Sequence, residues 1–66
     1  MDEKKAKLEW ARNVHREASL LLEALDDPKT DEIYSHLHHD LSELERFRQQ
    51  TRTIVDETEK IISENQ

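Results

Sequence analysis

The sequence predicts an all-α protein: a two-helix antiparallel hairpin that dimerises into a four-helix bundle, with a longer second helix. The 66 residues include no glycine and one proline, so the chain contains only one strong break. Apolar residues recur at spacings of three and four, and β-branched residues never alternate with polar ones as in a half-buried strand. The content of charged residues, 39%, is typical of coiled coils. We expect one domain spanning residues 1–66.

Helix 1 is predicted over about residues 2–25. Its apolar side chains follow one another at spacings of three and four residues, which places them on a single stripe. The stripe consists of Ala11, Val14, Ala18, Leu21 and Leu25, with Leu8, Trp10 and Leu22 on its flanks.

The turn is predicted at residues 26–30. Asp27 before Pro28 suits an N-cap followed by proline at the first helical position, and Thr30 before Asp31 is an alternative cap. Helix 2 should therefore begin between residues 28 and 31.

Helix 2 is predicted as one helix over about residues 31–64. Its stripe runs through Tyr34, Leu37, Leu41 and Leu44, is interrupted at Arg48 and Thr51, and resumes at Val55 and Ile62, with Phe47, Ile54 and Ile61 along its edge. A helix of this length exceeds helix 1 by roughly 15 Å. Helix 1 would therefore leave the tail of helix 2 uncovered.

Chain length predicts self-association. A domain this small buries only about 60% of the surface that its unfolded chain exposes, and the absence of cysteine excludes stabilisation by disulfides. Two helices also cannot surround an apolar stripe, whereas two hairpins can. We expect a homodimer, with a partner helix as the alternative occupant. The predicted interface residues are Trp10, Ala11, Val14, Ala18, Leu21, Leu25, Leu37, Leu41, Leu44, Ile54, Val55, Ile61 and Ile62.

The composition argues against an enzyme or a membrane protein. The sequence has no glycine-rich phosphate loop and no cysteine nucleophile, and its serines fall on helices too thin to enclose a pocket. We expect no catalysis and no cofactor. No apolar run approaches the roughly 20 residues of a membrane span, and no signal-peptide core follows the N-terminus. We therefore expect a soluble cytoplasmic protein that does not bind membranes.

Three histidines fall within a short polar segment. His36 and His39, with Asp40, have helical spacings that allow a shared metal ion. A closed zinc site needs a fourth ligand and a supporting shell, and no second motif supplies them. The alternatives are a pH-sensitive histidine cluster and plain polar surface. We predict no metal site.

Several residues resemble the Rop (Rom) family of plasmid RNA-binding proteins. The resemblance covers about residues 4–47. It is carried by Leu8-Glu9-Trp10-Ala11-Arg12 and Val14, then by Leu21-Leu22-Glu23 and Leu25, and finally by Leu37-His38, Glu43-Leu44 and Arg46. It implies a dimeric four-helix bundle that binds paired RNA stem-loops through the outward face of helix 1.

Two functions follow from these patterns. The positions that match the family's RNA-binding face are Glu9, Asn13, Glu17 and Ala24, so two carboxylates would face phosphate oxygens. This chemistry favours a non-catalytic module that binds a partner protein or helix, such as an adaptor or a small chaperone, through its stripe and the tail of helix 2. The alternative is an RNA-binding regulator that uses Lys5, Arg12 and Arg16, which project opposite the stripe of helix 1.

Overall fold

Three helices make up the chain in a computed structural model that describes residues 2–66. They are α1 (Glu3–Asp26), α2 (Pro28–His36) and α3 (Leu41–Asn65), and no β-strand occurs between residues 2 and 66. The all-helical prediction is confirmed, but the prediction of two helices is wrong. α1 and α3 pack against each other along their lengths as an antiparallel pair, and α2 joins them at one end.

The predicted helix over residues 31–64 is broken by a Schellman turn at residues 37–40. His38 adopts a left-handed backbone conformation (φ 61°), and its N–H donates to the carbonyl of Ser35. The N–H of His39 reaches back to the carbonyl of Tyr34, and these two rings lie 5.7 Å apart. These bonds satisfy the last carbonyls of α2. Asp40 then caps α3 by accepting a bond from the Ser42 N–H at 2.9 Å.

The break gives the paired helices equal lengths. α1 has 24 residues and α3 has 25. Part of the long second helix that the sequence predicts instead forms the separate helix α2, so α3 is shorter than predicted. The expectation of an uncovered tail is therefore wrong. Thr58 is buried, and Val55, Ile61 and Ile62 are half-buried within the chain itself.

The buried contact between α1 and α3 is a narrow seam of mostly small side chains at seven-residue spacing. In α1 the seam comprises Ala11, Ala18 and Leu25, and in α3 it comprises Leu44, Thr51 and Thr58. The two threonine hydroxyls donate to carbonyls one turn earlier, at 2.8 Å for Thr51 to Phe47 and 2.7 Å for Thr58 to Ile54. Because each hydroxyl has a partner, burying it leaves no unsatisfied polar group.

Arg48 ties all three helices together. Its Nε donates to the carbonyl of Leu25 at 2.6 Å, at the C-terminus of α1, and its Nη2 bonds the carboxylate of Asp31 on α2. Asp26 lies 3.6 Å from the same guanidinium. The hydrogen bond to Asp31 raises the pKa of Arg48 above its usual value. This cation also complements the negative end of the α1 dipole.

α2 itself buries no side chain. The Asp27 carboxylate caps it by accepting from the Lys29 N–H at 2.9 Å, and Pro28 is its first residue, which is the first of the two starts that the sequence left open. The Thr30 hydroxyl donates to the carbonyl of Ala24 at 2.5 Å. Capping bonds and the Arg48–Asp31 pair, together with the half-buried Tyr34, therefore hold α2 in place.

Candidate functional site

The candidate site is an apolar surface along one side of the helix pair. Most of its residues follow a seam residue by three positions: Val14 and Leu21 in α1, and Phe47, Ile54 and Ile61 in α3. Trp10 directly precedes the seam residue Ala11. We call these six residues the apolar face.

The six residues lie on the same side of the hairpin. At 100° per residue, each is displaced from its seam by about 40–80° in the same rotational sense. In an antiparallel pair, equal offsets from the two seams fall on one side, as matching heptad positions do in antiparallel coiled coils. Neighbouring positions at spacings of four and seven then make the surface continuous along both helices.

Solvent reaches most of the apolar face. The exposed fraction is 56% for Trp10 and 44% for Ile54, and Leu21 and Phe47 are also exposed. Val14 and Ile61 are half-buried. A contiguous exposed apolar surface makes this side of the helix pair a candidate interaction site.

The predicted interface residues separate into three groups. The seam contains Ala11, Ala18, Leu25 and Leu44, with Val55 and Ile62 half-buried beside it on the edge away from the apolar face. The apolar face contains Trp10, Val14, Leu21, Ile54 and Ile61. Leu37 and Leu41 belong to neither group: both are exposed, because the break at residues 37–40 places them at the α2 end of the hairpin, outside the α1/α3 seam.

The basic residues proposed for RNA binding share the outward face of α1. Lys5, Arg12 and Arg16 are all exposed, and the Arg16 guanidinium lies 3.4 Å from the side-chain oxygen of Asn13. Glu9 occupies the turn between Lys5 and Arg12, so the stripe carries charges of both signs. The cations are accessible, but their positive field is weakened locally.

The histidine segment does not gather ligands. His36 ends α2, whereas His38 and His39 lie in the turn that follows, so the helical spacing assumed for His36, His39 and Asp40 is absent. Within residues 2–66 no group of three histidine, cysteine, aspartate or glutamate side chains is placed to hold a metal ion. Asp40 instead serves as an N-cap, and its hydrogen bonds from the backbone and side chain of Ser42 lower its pKa.

Sequence reasoning missed three important features. Arg48 was taken as an interruption of the stripe, although it joins the three helices. Phe47 is absent from the predicted interface, although it occupies the same offset as Ile54, which is included. The start of α3 carried a readable signal, because Asp40 followed by Glu43 three residues later resembles a capping box.

Together these features define a class: an elongated helical hairpin with a buried seam and an exposed apolar face. No protein-family model, no curated protein and no solved structure matches the chain. Between residues 2 and 66, no helix is both long enough and apolar enough to cross a membrane. The apolar face is therefore the feature of the chain that bears on its function.

Proposed function

We propose that this chain is a non-catalytic interaction module that binds through its apolar face, and that the occupant of that face is a second copy of the chain. Two hairpins packed face to face would form a dimeric four-helix bundle. The observation that carries the proposal is the alignment of exposed apolar residues at one offset on both helices, with Phe47 and Ile54 facing the same side as Leu21.

The surface area supports a partner of this size. A compact monomer of 7.9 kDa exposes about 4,400 Å². This chain exposes 5370 Å², an excess of about 1,000 Å², and its radius of gyration is 15.0 Å. A compact chain of this length has a radius of about 11 Å. Because a standard stable interface buries about 800 Å² per partner, one equal partner would account for the excess.

The thin core supports the same conclusion. The buried apolar residues are two alanines and two leucines, and Leu44 is the largest apolar side chain that is fully buried. Burying a leucine side chain contributes about 1.5–3 kcal/mol, whereas ordering each residue's backbone costs about 1–2 kcal/mol. Further apolar burial is therefore needed, and the apolar face supplies it.

Sedimentation equilibrium on matched variants tests the proposal. At micromolar concentration we expect twice the chain mass, and we expect Phe47→Ser with Ile54→Ser to shift the equilibrium toward monomer. Leu20→Ser is the control, because Leu20 is also an exposed leucine but projects away from the seam of α1. It should leave the mass unchanged.

Three outcomes separate the alternatives. A stable, fully folded monomer at all concentrations would overturn self-association. If the chain is a monomer that binds an amphipathic helix through Phe47 and Ile54, it is still an interaction module, but the occupant of the apolar face is a helix of another protein and not a second copy. Dissociation by Leu20→Ser alone would place the interface on the other side of α1.

RNA binding is the second candidate function, favoured by the accessible cations Lys5, Arg12 and Arg16 and by the resemblance to the Rop family. Face-to-face dimerisation would leave this stripe outward. Affinity for paired RNA stem-loops should then fall steeply as salt rises, since each neutralised phosphate releases counterions. Arg12→Glu with Arg16→Glu should abolish binding without changing helix content. Unchanged binding, or an affinity that is insensitive to salt, would reject this candidate.

A further inference from the structure

A second exposed apolar surface lies at the corner where α2 meets α3. Ile33 is 57% exposed and Leu37 is 60% exposed, and Leu41 beside them is also exposed. The side chains of this corner line two open cavities, of about 710 Å³ and 300 Å³, which share Glu32 and His36. The corner thus offers exposed apolar side chains beside two shallow depressions that are largely open to solvent.

The geometry of α2 makes this surface conspicuous. A helix of nine residues is too short to be stable alone, and α2 gains little from burial, because none of its side chains is fully buried. Its hydrogen bonds through Asp31 and Thr30 nevertheless hold it against the hairpin with Ile33 and Leu37 facing solvent. The polar groups Asp31 and Thr30 are bonded within the chain, whereas Ile33 and Leu37 remain exposed.

The corner is separate from the apolar face. Arg48, which binds Asp31 of α2, lies about 100° around α3 from Phe47 and about 120° from Ile54. Leu41 is likewise about 120° from Phe47. A partner on the apolar face would therefore leave the corner accessible.

Charge indicates what kind of partner fits. The larger cavity is lined by Asp31, Glu32, Ser35, His36, His38 and Leu41, and the smaller by Glu32, Ile33, His36 and Leu37. Two carboxylates thus border the apolar residues, and no lysine or arginine is among the residues lining these two cavities. Asp31 is paired with Arg48, but Glu32 forms no ion pair within residues 2–66.

We propose that this corner is a second docking surface whose occupant is a basic amphipathic segment of a partner protein. The apolar residues of that segment would cover Ile33 and Leu37, and its lysines or arginines would face Glu32. Apolar contact supplies affinity, and the carboxylate border selects the sign of the partner's charge. The proposal does not depend on self-association, since the two surfaces are distinct.

The test uses two short helical peptides and the full chain. Both peptides carry leucines along one face, flanked by lysines in the first and by glutamates in the second. We expect the lysine peptide to bind about tenfold more tightly at low salt, with the difference shrinking as salt rises. Amide NMR shifts should map to residues 31–41, and sedimentation of the same samples reports self-association separately.

Matched variants locate the contact. Leu37→Ser should weaken binding of the lysine peptide about tenfold, and Glu32→Lys should abolish the preference between the peptides, while Leu20→Ser should change neither. Leu37 and Glu32 are exposed, so helix content should be preserved. Equal affinity for both peptides, no binding of either, or shifts confined to Trp10, Phe47 and Ile54 would overturn the proposal.

Discussion

Two regions of the chain, the α1/α3 seam and the α2 corner, are stabilised in different ways. The seam is held by burial of small and apolar side chains, and its two threonines satisfy their own hydroxyls. The corner has no fully buried side chain and is held by caps, by one left-handed residue and by Arg48. Burial is cooperative along a helix pair, whereas each polar bond fails by itself, so the corner should open first.

The largest effect is expected from Leu44→Ala in the seam. Leu44 is 1% exposed, and truncating a fully buried leucine costs about 2–5 kcal/mol through lost burial and the cavity left behind. Urea unfolding at fixed protein concentration measures the change. Leu20→Ala, at an exposed position of α1, should remain within about 0.5 kcal/mol of the parent. Equal losses for both variants would mean that the seam is not the core.

The next effect separates the corner from the seam. Arg48→Lys keeps the charge but removes the guanidinium fork that reaches Leu25 and Asp31 together. Hydrogen exchange should accelerate across Pro28–His36 while the centre of α1 and α3 stays protected. Arg52→Lys is the control, because Arg52 makes one ion pair, with Asp26 at 3.6 Å. Unchanged protection of α2 would show that Arg48 does not hold the corner.

A smaller effect of opposite sign is expected at His38. Its left-handed backbone costs about 1–2 kcal/mol for a residue with a Cβ, and glycine removes that cost. His38→Gly should therefore raise the free energy of unfolding by about 0.5–1 kcal/mol. The same change at His36, inside α2, should lower it by a similar amount. Destabilisation by both substitutions would contradict the Schellman turn.

The smallest effect is the titration of Asp40. Its hydrogen bonds from Ser42 lower its pKa, so the folded state favours the ionised form. The resulting stability is present above the unfolded pKa of about 3.9 and is lost as pH falls through the lower folded value. Unfolding measured from pH 6 to 2 should show a component that Asp40→Asn removes, because asparagine caps without titrating near this pH. An identical profile in Asp40→Asn would exclude this contribution.

The sequence was a partial guide to the seam and a poor one to the corner. Thr51 interrupted the predicted stripe and Thr58 lay outside it, yet both are buried in the seam. Ala11, Ala18, Leu25 and Leu44 follow from periodicity alone, because a long amphipathic helix repeats its signal every turn. The helix break does not follow from periodicity, because the spacings of Tyr34, Leu37, Leu41 and Leu44 continue through it. In a chain without glycine, a histidine takes the left-handed position that usually reveals a helix end.

The apolar face was only partly predictable for a related reason. The offsets of Leu21 and Ile54 were visible in the sequence, but the pairing of α1 with α3 depended on where the chain reverses. Once α2 shortens α3 to match α1, the tail around Ile62 packs within the chain, and Leu21, Phe47 and Ile54 remain exposed on one side of the helix pair. Local helix propensity could not show which residues of α1 and α3 face each other, because that pairing depends on the position of the third helix, α2.

The most direct measurement is the emission of Trp10, the chain's only tryptophan, as protein concentration rises. Trp10 lies on the apolar face and is 56% exposed, so self-association should bury it and shift its emission to shorter wavelength, in step with a doubling of mass. Phe47→Ser with Ile54→Ser should move that transition to higher concentration. An emission maximum that stays constant while the mass doubles would place the interface elsewhere and contradict the account.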